Sequence, residues 1–102
     1  MALWCLIAGP LLISTDLQTI SNESLAVLKS PELIAVHQDP AGVQGVRVSP
    51  AAPDGVEVWA KPLASGAVAA VFLNRSPEPQ ASVCRYDAPV HTPPYHLIGV
   101  FS

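Results

Sequence analysis

The sequence predicts an α+β fold in which helices and one short apolar strand precede an antiparallel sheet. Two observations carry this prediction. Residues 1–40 contain three helix-like segments with recognisable start or stop signals, and after Gly42 the hydrophobic pattern changes to the period of two that is typical of strands. All but one of the eleven prolines follow Ser30, which indicates loops and strands in the second half.

The opening stretch "MALWCLIAGPLLISTDL", residues 1–17, admits three interpretations. As a secretion signal it lacks a basic start and a small-residue cleavage site. As a membrane span it is too short, because a span needs about 20 apolar residues. A buried segment fits best: Met1–Ala8 suits the end of a helix that Gly9 and Pro10 terminate, and Leu11–Ser14 suits a strand of a parallel sheet covered on both faces.

Two short helices are predicted next. Ser21 is placed to cap the first, with Glu23 in its first turn. The second repeats the signal, with Ser30 as cap, Pro31 at the first helical position and Glu32 behind it. The proline of "HQDP" disfavours helical geometry at the residue before it, so the second helix must be short.

An antiparallel meander is predicted after the helices. Val56 and Val58 alternate with Glu57 and Trp59, which indicates a strand exposed on at least one face. The β-prone run "GAVAAVFLNR" follows after "LASG", so Gly55 to Arg75 is predicted to form a hairpin with a loop of about four residues. "ASVCRY" is predicted as a third strand.

Composition excludes several classes of function. A chain of 102 residues is one small domain or a fragment of a larger one. Its formal charge of −3, with only five Lys and Arg, leaves no basic surface for nucleic acid. Cys5 and Cys84 lie far apart without metal-like spacing and are predicted to be buried thiols. No glycine-rich phosphate loop is present.

Three stretches together resemble a known enzyme family. "MALWCLIAGPLLISTDL", "ELIAVHQDPAGVQG" and "VEVWAKPLASGAVAAVFLNRS" match, in order and spacing, motifs of glycoside hydrolase family 27, the α-galactosidases and α-N-acetylgalactosaminidases. Those motifs are W-A-x-x-x-x-P-L, S-x-D-L, V-I-A-x-N-Q-D-x-L-G-x-Q-G and E-V-W…P-L-S-G…N-R. The resemblance covers about Met1 to Tyr86. His37 departs from the usual Asn, Cys5 is unexpected, and "PVHTPPYHLIGVFS" matches none of these motifs.

The resemblance implies a fragment. It would contain the last βα unit of a (β/α)8 TIM barrel, with Leu11–Ser14 as the eighth strand, and the first strands of a C-terminal antiparallel β-sandwich domain. The expected division is 1–41 for the end of the catalytic barrel, 42–88 for a partial β-domain and 89–102 for a divergent proline-rich tail. Such a barrel takes about 250 residues, and the β-domain of the family continues with several more strands beyond this endpoint, so truncation at both ends is expected.

The resemblance also implies an activity for the parent protein. That enzyme would hydrolyse terminal α-linked galactose by retention, without a cofactor, in a lysosome, vacuole or secreted form. Retention needs a nucleophilic carboxylate and a carboxylic acid, and the family places both aspartates on earlier barrel strands. We therefore assign no catalytic, cofactor-binding or metal-binding residue here and expect an inactive fragment. The loops that would discriminate galactose from N-acetylgalactosamine are absent.

Several acidic and histidine side chains are candidates for a catalytic role, but each has a simpler structural explanation. Asp16 follows the expected eighth strand, where barrel active sites are built, but it matches neither catalytic aspartate and is expected to bind backbone N–H groups. Glu23 and Glu32 suit helix dipoles. Asp39 suits turn hydrogen bonds, and His37 has no placed partner for base or ligand chemistry.

Other candidate side chains are also weak. His91 and His96 flank prolines that prevent the helical spacing of a zinc site. Ser14 and Ser24 lack the Gly-x-Ser-x-Gly turn of a hydrolase nucleophile. Trp59 is expected to pack within the sheet, with a sugar-stacking platform as its functional alternative.

Two N-glycosylation sequons are present, "NES" at Asn22 and "NRS" at Asn74. The second is the weaker acceptor because Pro77 follows it at once. The sequons agree with the secretory location that the resemblance implies.

A second function from another class stays open at this point. The chain could be a small non-catalytic β-domain protein that binds a glycan or a protein partner through its sheet. For the fragment, the expected partner is the α-galactoside substrate of the parent, with no nucleic acid and no membrane. An unpaired "LLIS" edge and an incomplete meander also predict self-association into a homo-oligomer.

Overall fold

The computed structural model describes residues 1–49 and 55–80 and contains, within them, three helices followed by a three-stranded antiparallel sheet. The elements are α1 (Ala2–Leu6), α2 (Asn22–Leu28), α3 (Pro31–His37), β1 (Val46–Arg47), β2 (Val56–Pro62) and β3 (Val68–Asn74). The sheet order is β1-β2-β3, so β2 is central. The predicted α+β order is confirmed for this part of the chain. The predicted third strand "ASVCRY" lies outside the described residues.

No helix among those described has the length and apolarity to cross a membrane.

Both predicted caps of the short helices are confirmed. The Ser21 hydroxyl accepts the Ser24 backbone N–H at 3.1 Å. The Ser30 hydroxyl accepts the Leu33 N–H at 3.4 Å, and Pro31 occupies the first turn of α3 as predicted. These local side-chain bonds fix where each helix begins because they satisfy donors that have no partner inside the helix.

The first helix is shorter than predicted. It was expected to run over Met1–Ala8 and to end because of Gly9 and Pro10, but α1 ends at Leu6. Ala8 adopts φ 55°, in the left-handed region that alanine rarely occupies. The chain therefore turns before the glycine is reached.

The predicted strand at residues 11–14 does not form in this structure. A strand is held by backbone hydrogen bonds to neighbouring strands, and the described part of the chain offers no strand beside this segment. Leu12 is 78% exposed, and Ile13 and Leu17 are each 61% exposed. Large apolar side chains this close together form an uncovered patch of the kind that marks a contact surface.

The predicted hairpin is confirmed. β2 and β3 pair antiparallel over their whole length, with Val56 opposite Asn74. The connecting loop, residues 63–67, is one residue longer than expected. Gly66 in this loop has φ 87°, a conformation that side chains disfavour, so this turn depends on glycine.

The core lies between α1, α3 and the sheet. Its buried members are apolar or small and come from all three: Ala2, Cys5, Leu6, Leu33, Val36, Ala69 and Val71. Trp59 and Leu63 pack against its edge. The first helix is thus held between the third helix and β3.

Gly45 allows the chain to pass close to α1. Its N–H donates to the Leu6 carbonyl at 3.0 Å. A Cβ atom at Gly45 would lie 2.7 Å from Leu6 Cγ and 2.8 Å from the Leu6 carbonyl oxygen, closer than real Cβ atoms approach. Any side chain here would push the start of the sheet away from α1.

Replacing Leu12 and Ile13 together by lysine is expected to weaken self-association of the chain by about tenfold or more. The reason is that burial of one such side chain contributes about 1.5–3 kcal/mol, which the charged residues would forfeit. Sedimentation velocity over a concentration series measures the effect.

The matched control adds two lysines at exposed polar positions of the same segment, Thr15→Lys and Thr19→Lys. Equal weakening by both pairs would show that charge alone, and not the apolar patch, governs association. A wild-type chain that stays monomeric at every concentration would contradict the prediction.

Candidate functional site

Asp16 lies in a turn of the exposed segment between α1 and α2. Its carboxylate accepts the Gln18 N–H at 2.9 Å, and its carbonyl accepts the Thr19 N–H at 3.3 Å. This confirms the prediction that it binds backbone N–H groups. Its carboxylate serves the turn and has no catalytic partner placed beside it in the part of the chain that the structure describes.

The two helix-terminal glutamates also have structural roles. Glu23 and Glu32 lie in the first turns of α2 and α3, where the helix dipole favours a negative charge. Glu32 additionally accepts a hydrogen bond from the Ser30 hydroxyl at 3.0 Å. Ser24, considered as a nucleophile, accepts the Ser21 hydroxyl at 2.9 Å and belongs to the cap.

The "HQDP" motif makes long-range hydrogen bonds to two distant residues. His37 Nε2–H donates to the Gly9 carbonyl at 2.8 Å, which ties α3 to the turn after α1. Asp39 accepts the Ala41 N–H at 3.1 Å, as the turn prediction required. Its two carboxylate oxygens also accept the Ala64 N–H of the hairpin loop, at 3.0 and 3.2 Å. The motif therefore links the helical segment to the sheet.

A cluster around Glu57 is the main charged arrangement that sequence reasoning missed. The carboxylate accepts the Trp59 indole N–H at 3.1 Å and an Arg75 Nη1–H at 3.2 Å, and Arg47 Nη1 lies 3.5 Å away. The Glu57 side chain is only 6% exposed, whereas the Arg47 and Arg75 side chains are 40% and 56% exposed. One buried carboxylate therefore joins β1, β2 and the residue after β3.

The environment of Glu57 lowers the pKa of its carboxyl. The largest cause is the hydrogen bond from Trp59, which stabilises the ionised form. Burial opposes this by raising the pKa, and the hydrogen bond and charge of Arg75, with the charge of Arg47, lower it further. The carboxylate is thus held ionised by fixed partners, which suits an ion-pair role better than proton transfer.

The expectation that β2 is exposed on at least one face is wrong at Glu57, which is only 4% exposed. Lys61, four residues further along the same strand, is 3% exposed. α1 packs against β2 and β3, and Trp59, which lies on the same face of β2 as Glu57 and Lys61, packs against the core, so this face is covered. Glu57, Trp59 and Lys61 alternate along β2 and combine an indole with two opposite charges. That pattern is the signal that could have indicated a covered face.

Cys5 is fully buried, as predicted, and burial is the main cause that raises the pKa of its thiol. A buried neutral thiol is a poor nucleophile. Within residues 1–49 and 55–80 no group of three or more His, Cys, Asp or Glu could hold a metal ion. Cys84, His91 and His96 lie outside the described residues.

Comparison with known proteins decides the family. Residues 1–39 match the family model described as Alpha galactosidase A, and residues 42–101 match the Alpha galactosidase A C-terminal beta sandwich domain. The chain belongs to the α-galactosidase A family. The resemblance found from the motifs is confirmed.

Individual members of the α-galactosidase A family show how much of such a protein this chain represents. It is 42% identical to human alpha-N-acetylgalactosaminidase over 89 residues, which are 87% of this chain and 19% of that protein. It is 43% identical to human alpha-galactosidase A over 75 residues, 74% of this chain and 17% of that protein. For a rice alpha-galactosidase the identity is 42% over 74 residues, 72% of this chain and 17% of that protein. The chain spans about a fifth of these curated relatives.

Asp39→Ala is expected to destabilise this family member by about 1–2 kcal/mol, because it removes charge-assisted hydrogen bonds that hold the hairpin loop against the end of α3. Urea unfolding followed by tryptophan fluorescence measures the change. Asp16→Ala is the matched control, since it loses bonds only within its own turn. Equal shifts for both variants would refute the linking role of Asp39.

Glu57→Gln is expected to lower the thermal unfolding midpoint most near neutral pH. A carboxyl whose pKa is lower in the folded chain stabilises the fold fully above its unfolded pKa, and this stabilisation is lost as the pH falls through the folded value. The difference between wild type and variant should therefore shrink as the pH falls below the ordinary glutamate value of 4.5.

Melting curves between pH 7 and pH 3 test this, with Glu23→Gln as the control that removes an exposed carboxylate. A Glu57→Gln difference that stays constant over that range would mean that the ion pairs contribute nothing to the pH dependence.

Proposed function

We propose that this chain is a C-terminal part of a retaining glycosidase that hydrolyses terminal α-linked galactose. Its substrate is an α-galactoside, and the enzyme works in a lysosome, a vacuole or outside the cell. The observation that carries the proposal is the pair of consecutive matches, to the alpha-galactosidase A model at 1–39 and to its C-terminal beta sandwich at 42–101. Relatives named for galactosidase and for N-acetylgalactosaminidase activity are equally similar, so the proposal extends to both sugars.

In this proposal, residues 1–41 close the barrel and residues 42–88 begin the sandwich, and the sandwich match extends through most of the predicted tail, to residue 101. The segment 11–14 becomes the eighth barrel strand once neighbouring strands stand on both sides. Its exposed Leu12 and Ile13 support this, because strands of a barrel are apolar on both faces and are covered on both. Earlier barrel strands of the parent would cover the patch that this chain leaves open.

The catalytic carboxylates come, in this proposal, from parts of the parent outside these 102 residues. Retaining hydrolysis uses two carboxyl groups about 5–5.5 Å apart, one as nucleophile and one as acid. Asp16 and Asp39 hold backbone N–H groups, and Glu57 is bound by an indole and two guanidinium groups. The chain therefore contributes structure to the enzyme: it joins the barrel to its C-terminal domain.

The alternative, a free-standing β-domain that binds a glycan, is not favoured. A stacking platform needs an aromatic face open to the sugar, but Trp59 packs against the core and its indole N–H is bound to Glu57. Membership of the α-galactosidase A family through both matched segments also gives no reason to separate the sheet from the barrel.

Sequencing the transcript that encodes this chain tests the proposal. We expect the reading frame to continue upstream of the Met1 codon, allowing for introns, and to encode the earlier barrel strands with both catalytic aspartates. A mature message with a stop codon and an untranslated leader directly before Met1, and no barrel sequence nearby, would refute it.

An activity assay gives a second, independent readout. The chain alone is expected to release no nitrophenol above the blank from aryl α-galactosides or aryl N-acetyl-α-galactosaminides. Activity that disappears in Asp16→Asn would show that the chain carries its own catalytic carboxylate and would overturn the structural role.

A further inference from the structure

The asparagines of the two sequons differ in their exposure and in their hydrogen bonds. Asn22 is the first residue of α2 and is exposed, and α2 has no buried residue. Lys29, two turns further along the same side of the helix, is exposed as well. The described residues give the Asn22 side-chain amide no hydrogen bond. A bulky group on this amide would displace no side-chain hydrogen bond among the described residues.

The side-chain amide of Asn74 already makes two hydrogen bonds. Its Nδ2–H donates to the Glu78 carbonyl at 2.8 Å, and its Oδ1 accepts the Ser76 N–H at 2.9 Å. These bonds shape the turn that follows β3, and Pro77 lies directly behind the sequon. A glycan on Nδ2 would replace a hydrogen of this amide and crowd the turn.

We infer that Asn22 is an N-glycosylation site and that Asn74 is not. An oligosaccharide passes from a lipid diphosphate donor to Nδ2 of Asn22: the bond between the anomeric carbon and phosphate oxygen breaks, a carbon–nitrogen bond forms, the amide loses a proton and the lipid diphosphate leaves. The Ser24 hydroxyl completes the sequon. The inference rests on the secretory location proposed above and not on the proposed activity.

The site lies apart from the contacts that hold the fold. The bonds of His37, Asp39 and Glu57 involve no residue of α2. Because the glycan is bulky and strongly hydrated, it would keep this side of α2 facing water. The apolar patch around Leu12 and Ile13 would then be the surface left for contact with the rest of the parent.

Mass spectrometry of the secreted chain tests the inference. The 102-residue chain is directed into the secretory pathway of yeast by a cleavable leader. Peptide N-glycosidase in heavy-oxygen water then converts a glycosylated asparagine to labelled aspartate. We expect the label at Asn22 and none at Asn74.

Sequon variants supply the matched controls. Ser24→Ala is expected to abolish the label while Asn22 itself stays intact, and Ser24→Thr to keep it. Asn74→Gln should change nothing. For variants that fold poorly, translation in the presence of microsomes tests the same sites. We expect the wild-type chain to show a gel mobility shift of one glycan, and Asn22→Gln to remove that shift.

An unlabelled Asn22 in a chain whose leader has been cleaved would overturn the inference, as would a label at Asn74. Since the leader enforces entry and no glycosidase activity is measured, either result is independent of whether the parent is an α-galactosidase.

Discussion

The packing of α1 against the sheet is the contact on which the rest of the structure depends. A helix of five residues is too short to be stable by itself, so α1 exists because α3 and β3 cover it. Leu6 and Cys5 are its fully buried side chains, and each leucine-sized burial contributes about 1.5–3 kcal/mol. The Gly45 N–H then fastens the start of the sheet to the Leu6 carbonyl. The segments that match the Alpha galactosidase A model and the C-terminal beta sandwich model therefore share one core.

The charged cluster around Glu57 links the strands within the sheet. Glu57 lies on the central strand β2 and binds one arginine from each neighbouring strand region: Arg47 on β1 and Arg75, the residue after β3. A carboxylate this buried is costly unless its oxygens are occupied, and here one oxygen meets both guanidinium groups while the other accepts the Trp59 indole N–H. The cluster consequently favours a single register of the strands, because a shift by one residue would leave the buried charge unpaired.

Local signals in the sequence predicted the parts of the fold that local chemistry determines. Serine caps located α2 and α3, and the period of two with "LASG" located the hairpin. Three of the misses depend on distant partners. β1 has only two residues and exists because β2 lies beside it, Glu57 is buried because both faces of β2 are covered, and residues 11–14 form no strand without neighbours. The family could still be identified, because the order and spacing of its motifs can be read from the sequence without knowledge of these contacts.

The departure at His37 shows why such motifs can change residue and keep their role. The resemblance predicts Asn at this position, and an asparagine amide can offer an N–H to a carbonyl. His37 offers Nε2–H to the Gly9 carbonyl instead, at 2.8 Å. An imidazole protonated on Nε2 donates from that atom whether or not Nδ1 is also protonated. The structural requirement is therefore a donor that reaches the turn after α1, and His37 Nε2–H meets it.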